Sequence, residues 1–163
     1  MFKAAVLTIS DSTAAGGRAD GTGPVIRSFL EALGMFQVIE AAVVPDEPEE
    51  ISAALRRWSD SSGADLIVTT GGTGLSPRDR TPEATRSVLD YEIPGMAEAM
   101  RLEGLKKTPR AMLSRGLCGV RGRCLIVNLP GSPGGVKDGL AALAPVLEHA
   151  IKKIQGDTTP CAS

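Results

Sequence analysis

The chain has little of what most enzyme chemistries depend on. It holds one histidine, His149, and three cysteines, Cys118, Cys124 and Cys161, in 163 residues. His149 falls late in a helical pattern with no cysteine or carboxylate pair at ligand spacing, so it reads as a solvated helix-face residue. A histidine-rich zinc site is excluded, and a Ser-His-Asp triad would have to rely on this one side chain. The cysteines are odd in number and lack a C-x-x-C pair, which argues against a disulfide framework; Cys118 and Cys124 read as small core residues. Aromatic residues make up only 3%, too few for a platform on which single-stranded bases stack. The formal net charge of −1 gives no excess of either sign to attract nucleic acid or an anionic membrane. No stretch approaches the ~18 apolar residues of a membrane span. The apolar stretch 4–9 is too short for a secretory leader and runs directly into Asp11. A cytoplasmic protein that engages neither nucleic acid nor membrane is expected.

What is present in quantity is glycine, 19 residues of it, in clusters between apolar runs. The length predicts one domain over 1–163, with a flexible tail over 156–163. The run AAVLTI (4–9) suits a buried strand. Thr22-Gly23-Pro24 opens a helix whose apolar positions are Ile26, Phe29, Leu30 and Leu33, and Gly34 stops it. Residues 36–44 read as a second strand, and Ile51, Ala54, Leu55 and Trp58 as the face of a second helix. Leu66–Val68 reads as a third strand, 82–89 and 95–106 as helices, and 124–129 as another strand. The final helix carries the stripe Val136, Leu140, Leu143, Leu147 and Ile151, with Pro145 expected to kink or split it. Strands alternating with helices predict an α/β fold, a three-layer α/β/α arrangement with a mostly parallel central sheet. Ligands in such folds sit beyond the carboxyl ends of the strands. Four polar or glycine-rich loops follow predicted strands and would share that edge: SDS, PDE, GGTG and PGSPGG.

Each loop allows two readings. Gly71, Gly72 and Gly74 in TTGGTG are either permissive turn residues or an anion cradle of backbone N–H groups. The loop fits neither the Walker pattern nor the dinucleotide fingerprint, since Pro77 falls where the last glycine of G-x-G-x-x-G would be. Asp46, with Glu49 three positions on, reads equally as a helix cap and as a catalytic carboxylate. Thr81 ahead of Pro82 is the better cap for the next helix, which leaves Asp79 unexplained by capping. Asp46 and Asp79 on adjacent loops suit Mg²⁺ beside phosphate oxygens. Arg78 and Arg80 are either solvated charges or counter-charges for a polyphosphate. Ser114-Arg115 either caps or binds an anion, and the Asn128–Gly135 stretch is either a plain loop or a second cradle.

Taken together, LTISDS, VVPDE, TTGGTGLSPRDRTPEAT, IPGMAEAMR, LSRG and LIVNLPGSP resemble the molybdopterin adenylyltransferase family, which includes the G domains of gephyrin and its plant counterpart. The resemblance runs from Lys3 to about Ile154, and the 69–85 motif is its most specific part. It implies an α/β/α fold, a homotrimer, and transfer of AMP from ATP to the terminal phosphate of molybdopterin with release of pyrophosphate. The adenylylated pterin would then pass to a molybdate-insertion protein. By position, Asp46 and Asp79 match the family's two functional aspartates and would hold Mg²⁺. Thr8, Ser10 and Asp11 match its pterin-side loop. Gly71, Gly72, Thr73, Gly74, Arg78, Ser114, Asn128, Pro130, Gly131 and Ser132 match the remaining binding surface. We expect the SDS and NLPGSP loops to take the pterin, and Asp46 with the 71–80 loop to take ATP. The alternatives are a non-catalytic molybdopterin carrier of the same fold, or a nucleotide-dependent hydrolase or reductase on a similar sheet.

Overall fold

Successive residues of the first strand, Phe2–Ile9 (β1), face opposite ways, and both sets are buried. Ala4 and Val6 belong to one apolar cluster, Ala5, Leu7 and Ile9 to another. A strand apolar on both faces needs helices above and below it, and the computed structural model, which describes residues 1–161, has them. Helices Gly23–Ala32 (α2), Pro94–Leu105 (α5) and Pro133–Ile154 (α6) cover one side of the sheet through Ile26, Leu30, Met96, Leu140 and Leu147. Helices Pro48–Asp60 (α3) and Thr81–Arg86 (α4) cover the other through Ile51, Leu55, Trp58 and Ala84. The three-layer α/β/α class predicted from the alternation is the one found.

The sheet has six strands in the order β2-β1-β3-β6-β5-β4. Strands β2 (Phe36–Val44), β1, β3 (Leu66–Thr70) and β6 (Cys124–Leu129) run parallel. Two short strands, β4 (Tyr91–Glu92) and β5 (Cys118–Arg121), extend the edge in antiparallel fashion. Register aligns Thr8 with Thr70 and Thr70 with Leu129, so three strands end level. The chain leaves β1 toward β2 and leaves β3 toward the opposite edge, and this divergence opens a crevice at the carboxyl ends.

Local chemistry sets the helix ends, not always as expected. Asp20, not Thr22, supplies the cap of α2: its Oδ1 accepts the N–H groups of Thr22 (3.1 Å) and Gly23 (2.9 Å). Glu47 occupies the cap position of α3 without a side-chain bond, so Asp46 is not that helix's cap. Thr81 is the first residue of α4 and not its cap; its Oγ1 donates to the Gly71 carbonyl at 3.0 Å. Ser132 caps α6 by accepting from Gly135 N–H at 3.1 Å. Pro145 lies on the exposed side of α6, which continues as one 22-residue element and is not split. The predicted core cysteines Cys118 and Cys124 are buried, and His149 is exposed. Burial pushes both thiols up to about 12, which leaves them protonated and inert. The expected tail over 156–163 falls partly outside the described residues, at 162 and 163.

Candidate functional site

Three strand ends converge on the loop 71–80 that links β3 to α4. Gly71 leaves β3 with φ +98° and donates its N–H to the Leu129 carbonyl at 3.1 Å. A Cβ there would lie 2.2 Å from the Ile9 carbonyl oxygen, so only glycine lets β1 approach. Gly72 follows at φ +66°, and a Cβ on it would meet Thr81 Oγ1 at 2.3 Å and Asp46 Oδ1 at 3.1 Å. The glycines are thus required by close approach, and what approaches Gly72 includes a carboxylate. Asp79 approaches from the far end of the loop, where its Oδ2 accepts Ser76 N–H at 3.0 Å. A Cβ on Gly74 would lie 2.9 Å from that same oxygen.

Asp46 and Asp11 tie the first two loops together. Asp11 N–H donates to Asp46 Oδ2 and Asp46 N–H donates to Asp11 Oδ1, both at 2.9 Å. Asp11 opens the one-turn helix Asp11–Ala14 (α1), whose cap, Ser10, accepts from Thr13 N–H at 3.3 Å. Arg78 closes the group, donating twice to Asp11 at 3.0 Å and pairing with Glu47 at 2.8 Å. Its guanidinium is therefore occupied by carboxylates, where the sequence left it either a solvated charge or a counter-charge for a polyphosphate. Arg78 holds the Asp11 carboxyl below the usual carboxylate range. Asp46 moves the other way: burial raises it, and the charges of Asp11 and Asp79 raise it further. Asp46 Oδ1 and Asp79 Oδ1 accept no hydrogen bond among the described residues.

The glycine loop stands as a ridge between two hollows. One, of about 640 Å³, is lined by Thr8, Ser10, Asp11, Asp20 and Asp46. The other, of about 620 Å³, is lined by Thr73, Ser114, Asn128, Pro130, Ser132 and the cations Arg101, Lys107 and Arg110. Gly72, Asp79 and Gly131 border both. The SDS loop shares its hollow with Asp46, where the sequence expectation set the two apart, and the NLPGSP loop reaches both hollows: Gly131 and Pro133 line the first, Asn128, Pro130, Gly131 and Ser132 the second. In the sheet, β1 neighbours β2 on its outer side while β6 lies beyond β3.

Two of the sequence-selected residues have side chains turned inward. Asn128 is 1% exposed; its Nδ2 donates to Thr69 and Thr85 hydroxyls at 3.0 Å each, and its Oδ1 accepts Leu117 N–H at 3.1 Å. That side chain braces the floor of the hollow. Thr8 donates to Asp20 Oδ2 at 2.8 Å, which orients the capping aspartate. Asp20 itself was missed by sequence reasoning, although an Asp two residues before a Thr-Gly-Pro helix start carries the signal. Lys107 and Arg110 were missed because nothing in their spacing marks them, and the chain reversal after α5 brings them to the hollow; Arg101, the last residue of IPGMAEAMR, reaches it from α5 itself.

A model of the probable molybdopterin binding domain family matches residues 5–149. The molybdopterin adenylyltransferase of Helicobacter pylori (strain J99) is 38% identical over 153 residues, covering 93% of this chain and 87% of that protein. The molybdenum cofactor synthesis protein cinnamon of Drosophila melanogaster is 44% identical over 94% of this chain, which spans only 26% of that longer protein. The crystal structure of the molybdopterin biosynthesis enzyme MoaB from Thermus thermophilus superposes with a TM-score of 0.91 at 56% identity, over 96% of this chain and 98% of that one.

Proposed function

The chain belongs to the probable molybdopterin binding domain family, and from that premise we propose that it is a molybdopterin adenylyltransferase of molybdenum cofactor biosynthesis. Its Helicobacter relative, named for that activity, matches over most of both chains. The observation that carries the reading is the ridge: Gly72 and Asp79 border two hollows, each large enough for one substrate. A terminal phosphate in one hollow and a triphosphate in the other would meet over Asp79. The phosphate oxygen of molybdopterin attacks the α-phosphorus of ATP; the bond to the β-phosphate oxygen breaks, and pyrophosphate leaves with that electron pair. Such a transfer is catalysed by positioning and electrostatics, which suits a site without histidine.

Main-chain N–H groups of Gly72, Thr73, Gly74 and Gly131 would approach phosphate oxygens closely. Arg101 and Arg110 would offset charge in the second hollow, where Lys107 is already paired with Asp138. Asp46 and Asp79 fit a magnesium ion, being hard oxygen donors with one unengaged oxygen each in a cluster whose own negative charges oppose one another. When bound, the ion would supply counter-charge to the reacting phosphates. Ser10 and Ser114 would each hydrogen-bond a ligand in separate hollows. Ser10→Ala should weaken one substrate and Ser114→Ala the other, by about fivefold each. Calorimetric titration of both variants with both substrates checks this; equal weakening of both ligands by both variants would refute separate hollows.

A homotrimer acting in the cytoplasm, with hand-over to a molybdate-insertion protein, completes the proposal. Leu75, Leu102 and Met112 are large apolar residues exposed on the single chain. No helix among the described residues is long and apolar enough to cross a membrane.

A further inference from the structure

We infer that Arg115 is a positioning residue: it is the tether that fixes residues 73–79, and with them Asp79, against the body of the protein. Its effect on turnover rests on the activity proposed above; the tether itself does not. Arg115 N–H donates to Thr73 O at 2.8 Å, Nε to Gly74 O at 2.9 Å, and Nη2 to Asp79 O at 2.7 Å. Among the described residues these are the only hydrogen bonds that anything outside the loop makes to the main chain of 73–79. Nη1 pairs with Glu83 in the first turn of α4. One side chain therefore joins both ends of the loop to the helix that follows. Arg115 is held in turn by its neighbours, because Arg101 on α5 donates to the carbonyls of Ser114 and Gly116.

Asp79 is thereby fixed at two points, its carbonyl by Arg115 and its carboxylate by Ser76 N–H. The loop begins with two glycines at positive φ, and ten residues separate β3 from α4. Among the described residues, the other polar ties from 73–79 to the body are those of the Arg78 side chain to Asp11 and Glu47, and a segment whose main chain lacks an outside tether opens locally at little cost. A planar guanidinium reaches two carbonyls and a carboxylate in separate directions, which a lysine ammonium on its flexible stem does not reproduce.

Removing Arg115 alone would leave Glu83 half-buried with one carboxylate oxygen, Oε2, already lacking a partner. The test therefore uses the E83Q background. E83Q alone should keep turnover within about twofold. E83Q/R115M should lose hydrogen-exchange protection at the Ser76 and Asp79 amides, the two in 73–79 that donate hydrogen bonds, while the β-strands keep theirs, and turnover should fall about 100-fold. R115K should follow R115M in both readouts. On a D79N background, R115M should add less than about a threefold further loss, because it acts through Asp79. Unchanged protection at the Ser76 and Asp79 amides, near-normal turnover in E83Q/R115M, or the full loss repeated on D79N would each overturn the inference. If the loop loses protection but the wild-type chain makes no adenylylated product, the tether is supported and the proposed activity is what fails.

Discussion

Asp79 and Asp46 approach the same glycine loop and are supported in opposite ways. Asp79 accepts from its own turn, and Asp46 exchanges main-chain bonds with Asp11. If both hold the ion, Asp79→Asn should fold normally and lose about 100-fold or more in turnover, as removal of a key electrostatic group does. Steady-state kinetics on the folded variant checks this, and wild-type turnover would remove Asp79 from the site. Asp46 makes a sharper test because its shift has a sign. Its folded-state value lies above its unfolded one, so stability from this group is present at low pH and is lost as pH rises through the raised value. At neutral pH the charged carboxylate therefore works against the fold. Asp46→Asn keeps an oxygen for Asp11 N–H, so it should hold or raise the melting temperature at pH 7 while turnover collapses. A melting temperature lowered by several degrees with turnover intact would show a purely structural residue. Asp11 cannot account for an acid limb in the rate, because Arg78 keeps it ionised to lower pH; loss of activity on acidification should follow Asp46.

At the scale of elements, the loop 71–80 carries most of the account. Gly72→Ala would set a Cβ against Thr81 and Asp46 at a φ of +66°, at a cost of about 1–3 kcal/mol, and should also displace Asp46. Gly122→Ala is the control: its φ of +57° strains the backbone, yet its Cβ would meet nothing within 4 Å. Both variants should melt a few degrees lower, but only Gly72→Ala should lose turnover; equal activity in the two would mean that the close approach at Gly72 is incidental. The strands β2 and β6 and the helices α2, α3, α5 and α6 were legible to within a residue or two from their apolar patterns and punctuating residues, whereas the helix expected over 82–89 overruns α4, which ends at Arg86. Strand β3 runs on through Thr69 and Thr70, whose hydroxyls hid two fully buried positions. Strands β4 and β5 were not legible: each is short, and β5 has a glycine at Gly119, where a Cβ would meet Leu89 at 2.4 Å. The one-turn helix α1 has no buried residue and so no periodicity to read. The site's loops were found because glycine, aspartate and proline punctuate them. The sorting of those loops into two hollows depends on strand order, which no local pattern encodes, so the sharing of one hollow by the SDS loop and Asp46 was not legible.

For the whole molecule, a parallel sheet with three strands ending level brings four loops to one edge, and the fold contributes that convergence rather than any one catalytic group. The proposed homotrimer rests on the family resemblance, and light scattering at micromolar concentration should give the mass of three protomers. A monomer mass would contradict the trimer without touching the chemistry. The central claim is the transfer itself, and incubation of the purified chain with molybdopterin, ATP and magnesium tests it most directly. Adenylylated molybdopterin and pyrophosphate should appear in equal amounts, with neither formed when molybdopterin is omitted. Molybdopterin bound without either product would contradict the claim and identify a carrier; ADP and phosphate in place of AMP transfer would contradict it as a hydrolase.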